Sequence, residues 1–273
     1  MRKQHKLLAL FAVLFSSVLF ADEPPAKKPE AEAEPKIEMD ARSRELFDAW
    51  TKMEYLPANA GLKSGSLKIE AEAAGWQGQM KGGATYSWDA AKDTSSLEWR
   101  ADSAAIGQAL AREGYSKESF DRWFLSDMER KGLEGCKLTS EEKDGNTKIT
   151  VHGKAKSMVT SMQFDANGVL VQLMRRIPVM GNNVDLTERR EYMDHGGKKL
   201  LSKEHYEMEM QGFGTVSGTT EYTYTDVGGF RVLSGIKQAG KMNGQPGGSK
   251  TIKITDYNVE GAAAGTSDKK PEK

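Results

Sequence analysis

The alternation of apolar and polar side chains between Asn146 and Lys237 predicts strand after strand, each about ten residues long. Clusters of Asn, Asp and Gly close these segments at residues 165–168, 180–183, 194–197, 212–214 and 228–229. These residue types tolerate the positive φ angles of tight turns, and tight turns join antiparallel strands, whereas parallel strands would need helical crossovers. The pattern therefore predicts one large antiparallel sheet.

A period of two residues also follows Gly61. Apolar side chains at positions 67, 69, 71 and 73 alternate with charged ones at 68, 70 and 72, so one face of this strand is buried and the other is wet. The pattern continues across Gly82 and Gly83, where paired glycines indicate a bulge or a bend. We expect the last strand to run from Thr251 to Val259, after a loop from Gly240 to Gly248.

Helical spacing appears in two parts of the chain. An amphipathic helix is predicted after Asp40, its N-cap, and Pro57 stops it; its apolar face holds Leu46, Phe47, Trp50 and Met53. Two further helices, Ser103 to Gly114 and Ser116 to Gly132, each open with a Ser cap and close with Gly. The second carries an apolar stripe formed by Phe120, Trp123, Phe124 and Met128.

Apolar helix faces must cover an apolar surface, and this decides the fold class. We predict a mainly β protein with helices (α+β), in which a single curved antiparallel sheet is covered by the N-terminal helix and the inserted helical pair. Within the sheet, Tyr206, Met208 and Met210 alternate with polar residues, as do Tyr222 and Tyr224. One sheet face is therefore lined with Met and Tyr.

The first 21 residues have the pattern of an export signal: a basic start, an apolar run from Leu7 to Phe20, and Ala21 before Asp22. We expect cleavage after Ala21, the alternative being an uncleaved anchor. Residues 22–38 are rich in Pro and charge and predict a disordered spacer, as does the tail at 261–273. One domain, residues 39–260, lies between them.

Charge and cysteine content further narrow the functional class and the compartment of the protein. Removing residues 1–21 takes Lys+Arg from 39 to 36 against 39 Asp+Glu, a net charge of −3. Mixed charges of this kind exclude a nucleic-acid footprint, and we expect a monomer with no membrane span after signal cleavage. The single Cys136 cannot form an internal disulfide, which suits a bacterial periplasm or envelope, or the secreted medium. A buried strand thiol is favoured for it over a reactive one.

Candidate catalytic groups do not assemble in the sequence. His152, His195 and His205 have no partners at metal-ligand spacing, and no nucleophile motif is present. Glu188 with Glu191, and Glu207 with Glu209, alternate with basic residues on strands; the charges indicate a wet face rather than a carboxylate pair. We therefore predict no enzyme activity, no cofactor and no metal. A hydrolase ranks third among the functions considered.

The Met208 and Met210 thioethers raise one metal alternative, a soft copper site. Alternating Met on a sheet face is also ordinary packing, and this interpretation is favoured. Met is flexible and polarisable and suits a surface that accepts ligands of variable shape, so a ligand-accepting face and a dry Met/Tyr core both remain open.

The order of elements resembles the LolA-like lipoprotein-sorting superfamily. The resemblance rests on the export signal, the amphipathic helix, the interrupted meander, the turn at Phe164 to Leu170 and the closing Thr251 to Val259, and it covers residues 39–260. It implies an incomplete barrel whose apolar concave face is lidded by helices and accepts acyl chains. The family's lid-controlling arginine cannot be placed in this sequence.

The leading hypothesis is an exported, non-enzymatic binding protein for an apolar ligand, a lipid or a lipoprotein acyl chain, in the cell envelope. The candidate cavity and lid residues are Phe120, Trp123, Phe124, Tyr206, Met208, Met210, Tyr222 and Tyr224. The alternative is a packed structural or interaction protein of the envelope without a ligand cavity.

Overall fold

The computed structural model describes residues 37–75, 78–104, 107–108, 116–125, 128–153, 155, 157–179, 182–210, 212 and 214–261. The predicted signal peptide, most of the predicted spacer and nearly all of the predicted tail lie outside these residues. So does most of the helix predicted from Ser103 to Gly114. A 3-10 turn at Ala101–Ser103 leads up to it, and residues 104, 107 and 108 are helical.

Thirteen strands and three helices are present in the described part of the chain. The strands are β1 (Glu38–Met39), β2 (Leu62–Gly75), β3 (Gly78–Asp89), β4 (Thr94–Trp99), β5 (Lys137–Lys143), β6 (Asn146–His152), β7 (Val159–Phe164), β8 (Leu170–Val179), β9 (Asn182–His195), β10 (Lys198–Met210), β11 (Gly214–Val227), β12 (Phe230–Met242) and β13 (Gln245–Gly261). The helices are α1 (Ala41–Met53), α2 (Lys117–Phe124) and α3 (Met128–Lys131).

All thirteen strands join one sheet, in the order β1-β5-β6-β7-β8-β9-β10-β11-β12-β13-β2-β3-β4. From β5 to β13 the neighbours in the sheet are also neighbours in sequence, which is an antiparallel meander. The meander then continues into the N-terminal strands, because β13 pairs with β2. The predicted mainly β fold, with one open curved sheet and covering helices, is confirmed; the parallel pair β1 and β5 makes the sheet mixed.

The loop predicted from Gly240 to Gly248 is mostly strand. A two-residue turn, Asn243 and Gly244, joins β12 to β13, and both residues have positive φ (50° and 77°). That geometry matches the right-handed twist of the strands on either side, so the strands continue up to the turn. The Gly, Asn, Gln and Pro residues around this Asn-Gly pair are also typical of a loop, so the composition did not distinguish a loop from a tight hairpin.

The helix predicted from Ser116 to Gly132 is divided. α2 ends at Phe124, and Leu125 has an extended backbone (φ −105°, ψ 147°) before α3 begins at Met128. At the other end of the fold, ordered structure starts inside the predicted spacer. Glu38 pairs with Lys137, and the one large apolar side chain of that segment, Ile37, packs against the core.

α1 is fixed to the edge of the meander by its N-cap. One carboxylate oxygen of Asp40 accepts from the Ser43 amide at 2.7 Å, and the other accepts from the Ser140 amide of β5 at 2.5 Å. The Ser43 hydrogen bond is the largest of the effects that lower the pKa of Asp40 to about 2. The same side chain therefore starts the helix and ties it to the sheet.

The buried apolar side chains form three clusters. In the α1 cluster, Leu46, Phe47 and Trp50 pack with residues of β5 to β8, and the buried Cys136 thiol belongs to it. In the α2 cluster, Phe120, Trp123 and Phe124 pack with residues of β2, β3 and β10 to β13. The Met cluster joins Ile177, Val179, Val184, Met208, Met210, Val216 and Met242. Each of the two long helices thus covers its own part of the sheet.

Candidate functional site

One side of α2 packs on β3 through aromatic rings. The Phe124 ring lies 4.5 Å from the Trp88 ring and 5.5 Å from the Tyr86 ring, and Phe120 lies 5.6 Å from Tyr86. Phe120, Phe124 and Tyr86 are fully buried. This part of the apolar face of α2 is therefore covered by the edge of the sheet that carries β3 and β4.

A buried carboxylate reinforces this attachment. Asp121 accepts hydrogen bonds from the Tyr86 hydroxyl at 2.8 Å, the Ser95 hydroxyl at 2.5 Å and the Lys117 ammonium at 2.9 Å. Burial, and then the charge of Asp121, raise the pKa of Tyr86, so its proton stays in place as a donor. On this side α2 is fastened by packing and by charge-assisted hydrogen bonds.

The other side of α2 faces the middle of the sheet. The Trp123 ring lies 4.9 Å from Tyr222 and 6.0 Å from Tyr224, both on β11. Burial raises the pKa of Tyr224 well above its ordinary value, and its hydroxyl donates to the Leu201 carbonyl at 2.5 Å. Of the predicted stripe, Trp123 contacts these two tyrosines, whereas Phe120 and Phe124 pack on Tyr86 and Trp88 of β3 instead.

A buried ionic cluster lies beside Trp123. Arg122 of α2 and Arg190 of β9 both donate to one carboxylate oxygen of Glu204, at 3.2 Å and 3.1 Å, and the Tyr222 hydroxyl donates to the other oxygen. Burial alone would raise the pKa of Glu204, but the two guanidinium charges outweigh it and, with Tyr222, lower the pKa. Glu204 is therefore a buried anion shared between the sheet and the helix.

A cleft of about 50 Å³ opens where α1 and α2 approach each other. It is lined by the C-terminal turns of α1, the loop that follows, α2, α3 and β10: Phe47, Trp50, Thr51, Glu54, Tyr55, Leu56, Arg122, Trp123, Arg130 and Leu201. Tyr192 lies near this boundary, because it packs against both the α1 cluster and the α2 cluster. The cleft thus marks the border between two separately covered halves of the sheet.

The remaining candidate residues lie further along β10. Tyr206, Met208 and Met210 share the face of Glu204, since they follow it at two-residue spacing, but they pack in the Met cluster with Met242. Tyr206 lies across Gly218 of β11, where a Cβ would be 2.2 Å from its hydroxyl oxygen. The structure therefore brings together Phe120, Trp123, Phe124, Tyr222 and Tyr224, and places the other three candidates in a second group on the same sheet face.

Sequence reasoning missed the polar half of the site. Glu204 falls at the same parity as Tyr206, Met208 and Met210, so a charged residue on the apolar face was visible in the pattern. Arg122 directly precedes Trp123 on α2, yet nothing in the local sequence connects it to a strand 82 residues away. The sequence placed Trp50 only on the apolar face of α1, and its position beside the cleft depends on how α1 crosses the sheet.

None of the three histidines lines the cleft, although His195 contacts Tyr55, which does. His152 shares a hydrogen bond of 2.8 Å with Thr139, His205 lies 2.6 Å from Glu191, and the His195 ring packs edge-on against Tyr55 at 4.9 Å. Within the described ranges, no group of three or more His, Cys, Asp or Glu side chains could hold a metal ion. Burial raises the pKa of the Cys136 thiol, as expected for a cysteine that packs like a small apolar residue.

No protein-family model and no curated protein matches the chain. Among solved structures it is similar to a domain described as an outer membrane lipoprotein-sorting protein from Vibrio parahaemolyticus, with 7% identity and a TM-score of 0.33 over 79% of this chain and 91% of that one.

A second solved structure is a LolA superfamily protein from Nitrosomonas europaea, with 7% identity and a TM-score of 0.24 over 80% of this chain and 93% of that one. The descriptions of these two solved structures name lipoprotein sorting in one case and the LolA superfamily in the other. None of the helices in the described segments has the length and apolar character to cross a membrane.

Proposed function

We propose that this protein is an exported, non-enzymatic binding protein of the bacterial cell envelope, which holds an apolar chain of a lipid or lipoprotein between α2 and the sheet. One observation carries the proposal: the Trp123 side of α2 borders an open cleft, whereas its Phe124 side is fixed to β3. A helix attached along one side and bordered by a cleft on the other can act as a lid. The export signal predicted at residues 1–21 supports the compartment.

In this proposal the structure is the closed state of the lid, because the cleft is too small for an acyl chain. Ligand pockets usually enclose about 300–1,000 Å³, and the cleft has about 50 Å³. An acyl chain therefore enters only when α2 and α1 move apart and Trp123 leaves the rings of Tyr222 and Tyr224. In the closed form the lid's own aromatic side chains occupy the place of the ligand.

The ionic cluster would hold this lid shut. Arg122 reaches from the moving side of α2 to the buried Glu204, and its side chain is 32% exposed. Separating the pair leaves Glu204 with Arg190 and Tyr222, so the anion on the sheet stays compensated when the helix moves. Opening then costs the Arg122 contact and the aromatic packing of Trp123, but it does not leave an isolated buried charge.

The alternative is a packed structural or interaction protein of the envelope. The filled α2 cluster and the small cleft favour it, because a core that is complete in the resting state needs no ligand. The two functions differ in one respect that can be measured. A carrier binds apolar probes at the cleft, with an affinity reduced by the free energy of opening the lid. A packed protein does not bind them.

The test combines native mass spectrometry of the purified chain with titration of 1-N-phenylnaphthylamine, an apolar fluorophore. We expect a co-purifying lipid or saturable fluorophore binding. Arg122→Gln should bind the fluorophore more tightly than the parent, because it lowers the free energy of lid opening. Arg176→Gln is the matched control, since Arg176 pairs with Asp185 on the exposed surface. Absence of both lipid and fluorophore binding would favour the packed protein.

A further inference from the structure

The indole of Trp50 has a polar atom that the rest of the fold does not use. Trp50 is 2% exposed, lines the cleft, and packs edge-to-face on Tyr192 at 5.1 Å. Among the described residues, no atom accepts a hydrogen bond from its Nε1. A buried N–H without an acceptor is unfavourable, so an acceptor supplied at this place is bound with a gain.

The other polar groups around the cleft are mainly donors. Arg122 and Arg130 carry guanidinium groups, which donate and never accept. Thr51 already donates its hydroxyl proton to the Phe47 carbonyl at 2.9 Å. The cleft has one carboxylate, Glu54, and the two arginines also meet Glu204 and Asp48, at 3.2 Å and 3.6 Å, so the surrounding charge is close to balanced. A polar ligand atom that fits this lining is a hydrogen-bond acceptor.

The volume and the lining of the cleft also limit which ligand group can bind there. A space of about 50 Å³ takes a polar group of a few atoms and excludes a chain. Its apolar walls, Phe47 on one side and Trp123 on the other, belong to the α1 cluster and the α2 cluster.

The Nε1 atom of Trp50 is itself buried while the cleft is closed. We infer that the cleft, once α1 and α2 have moved apart, seats the carbonyl oxygen of an acyl group, with the Trp50 indole N–H as its donor. The inference rests on the proposed function and specifies its ligand: an acyl compound, recognised by its carbonyl end as well as by its apolar chain. Both a free fatty acid and an acyl ester present this oxygen. Trp50 is then a specificity residue, because a hydrocarbon without an acceptor leaves its N–H unsatisfied.

The experiment uses the full chain and three twelve-carbon probes delivered from cyclodextrin: laurate, methyl laurate and dodecane. Each competes with 1-N-phenylnaphthylamine, and the measured quantity is the affinity for the carbonyl probes divided by the affinity for dodecane. Trp50→Phe should lower this ratio about five- to ten-fold, the effect of one buried hydrogen bond. The ratio corrects for a general loss of packing, since that loss affects all three probes.

Trp88→Phe is the matched control. Its indole Nε1 is also buried without an acceptor among the described residues, but Trp88 stacks on Phe124 in the α2 cluster and does not line the cleft. We expect the ratio to be unchanged in this variant. An equal loss in both variants would overturn the inference, because the effect would then come from core packing.

The remaining outcomes separate the inference from the function on which it rests. If the fluorophore and dodecane bind and the ratio is the same in the parent and in Trp50→Phe, the carrier function stands and the carbonyl seat is refuted. If the parent binds none of the probes, the function itself fails. If the seat is present, a preference for laurate over methyl laurate identifies the free acid as its ligand, and equal affinities identify the carbonyl common to both.

Discussion

The guanidinium of Arg122 on α2 donates to the buried carboxylate of Glu204 on β10, 3.2 Å away. This contact joins a helix inserted between β4 and β5 to a strand in the middle of the sheet. Glu204 is 8% exposed and also meets Arg190, so the helix is attached to a charge that is already built into the sheet. The position of α2 is therefore coupled to the ionisation of one side chain.

Replacing Glu204 by Gln should lower the free energy of unfolding by about 3–5 kcal/mol, because it removes the buried anion to which Arg122 and Arg190 both donate. Urea unfolding of the purified chain measures this change. Glu209→Gln is the control on the same strand, since Glu209 is exposed and its loss should stay within about 0.5 kcal/mol. Equal stability of the two variants would show that the cluster does not hold the fold.

The Asp40 cap should give the protein an acid-sensitive step. Its pKa is about 2 in the folded chain, with the Ser43 amide as the main cause, against about 3.9 in an unfolded chain. A depressed pKa stabilises the fold at pH values above 3.9, and this contribution is lost as the pH falls from about 4 to 2. Thermal melts across that range should show the decline in the parent.

Asp40→Ala should remove that part of the pH dependence and cost about 1 kcal/mol at neutral pH, the usual effect of losing an N-cap. Asp48→Ala provides the comparison within α1, because Asp48 is a half-exposed partner of Arg130 at 3.6 Å. It should cost about 0–1 kcal/mol. A parent and an Asp40→Ala variant with parallel pH profiles would contradict the assignment of the cap.

Two neighbouring residues of α2 should respond differently to truncation. Phe124 is fully buried against Trp88 and Tyr86, so Phe124→Ala should cost about 3–5 kcal/mol. Trp123 lines the cleft, and Trp123→Ala should cost clearly less than that range while it weakens binding of an apolar fluorophore. If Trp123→Ala destabilises as much as Phe124→Ala and the parent binds no fluorophore, the lid proposal is wrong.

Single replacement of His152, His195 and His205 by Gln should leave binding intact. His152 and His205 make exposed contacts with Thr139 and Glu191. His195 packs on Tyr55, which lines the cleft, but none of the three histidines belongs to the lining itself. Fluorophore titration and circular dichroism of the three variants check this. Loss of function in a variant that remains folded would restore the case for catalysis or metal binding.

The sequence predicted the elements better than their arrangement. Alternation around Met208 and the stripe around Trp123 are local patterns, and both correspond to a strand and a helix in the structure. The contact of Trp123 with Tyr222 was predicted because few apolar surfaces were left for α2 to cover. Its separation from Met208 could not be predicted, since that depends on the curvature of the sheet and on the bulge in β10 between Leu201 and Lys203.

The polar residues of the site were harder to predict for a physical reason. An ionic pair such as Arg122 and Glu204 forms between side chains that are distant in sequence, and each charge alone is typical of a solvated surface. The unused N–H of Trp50 is visible only after its surroundings are known. Apolar patterns report on local structure, whereas the satisfaction of polar groups reports on tertiary structure.

The pairing of β13 with β2 also determines when this protein can fold. Ile69 lies opposite Ile254, and the Ser64 hydroxyl donates to Glu260 across 196 positions of sequence. During synthesis, the segment from β2 to β4 has no neighbour on its inner edge until the last strand has been made. Contacts between residues so distant in sequence slow folding, because the chain loses the entropy of closing a long loop before the stabilising hydrogen bonds form. The chain therefore completes its sheet only after translation has reached β13, and until then β2 lacks its partner strand.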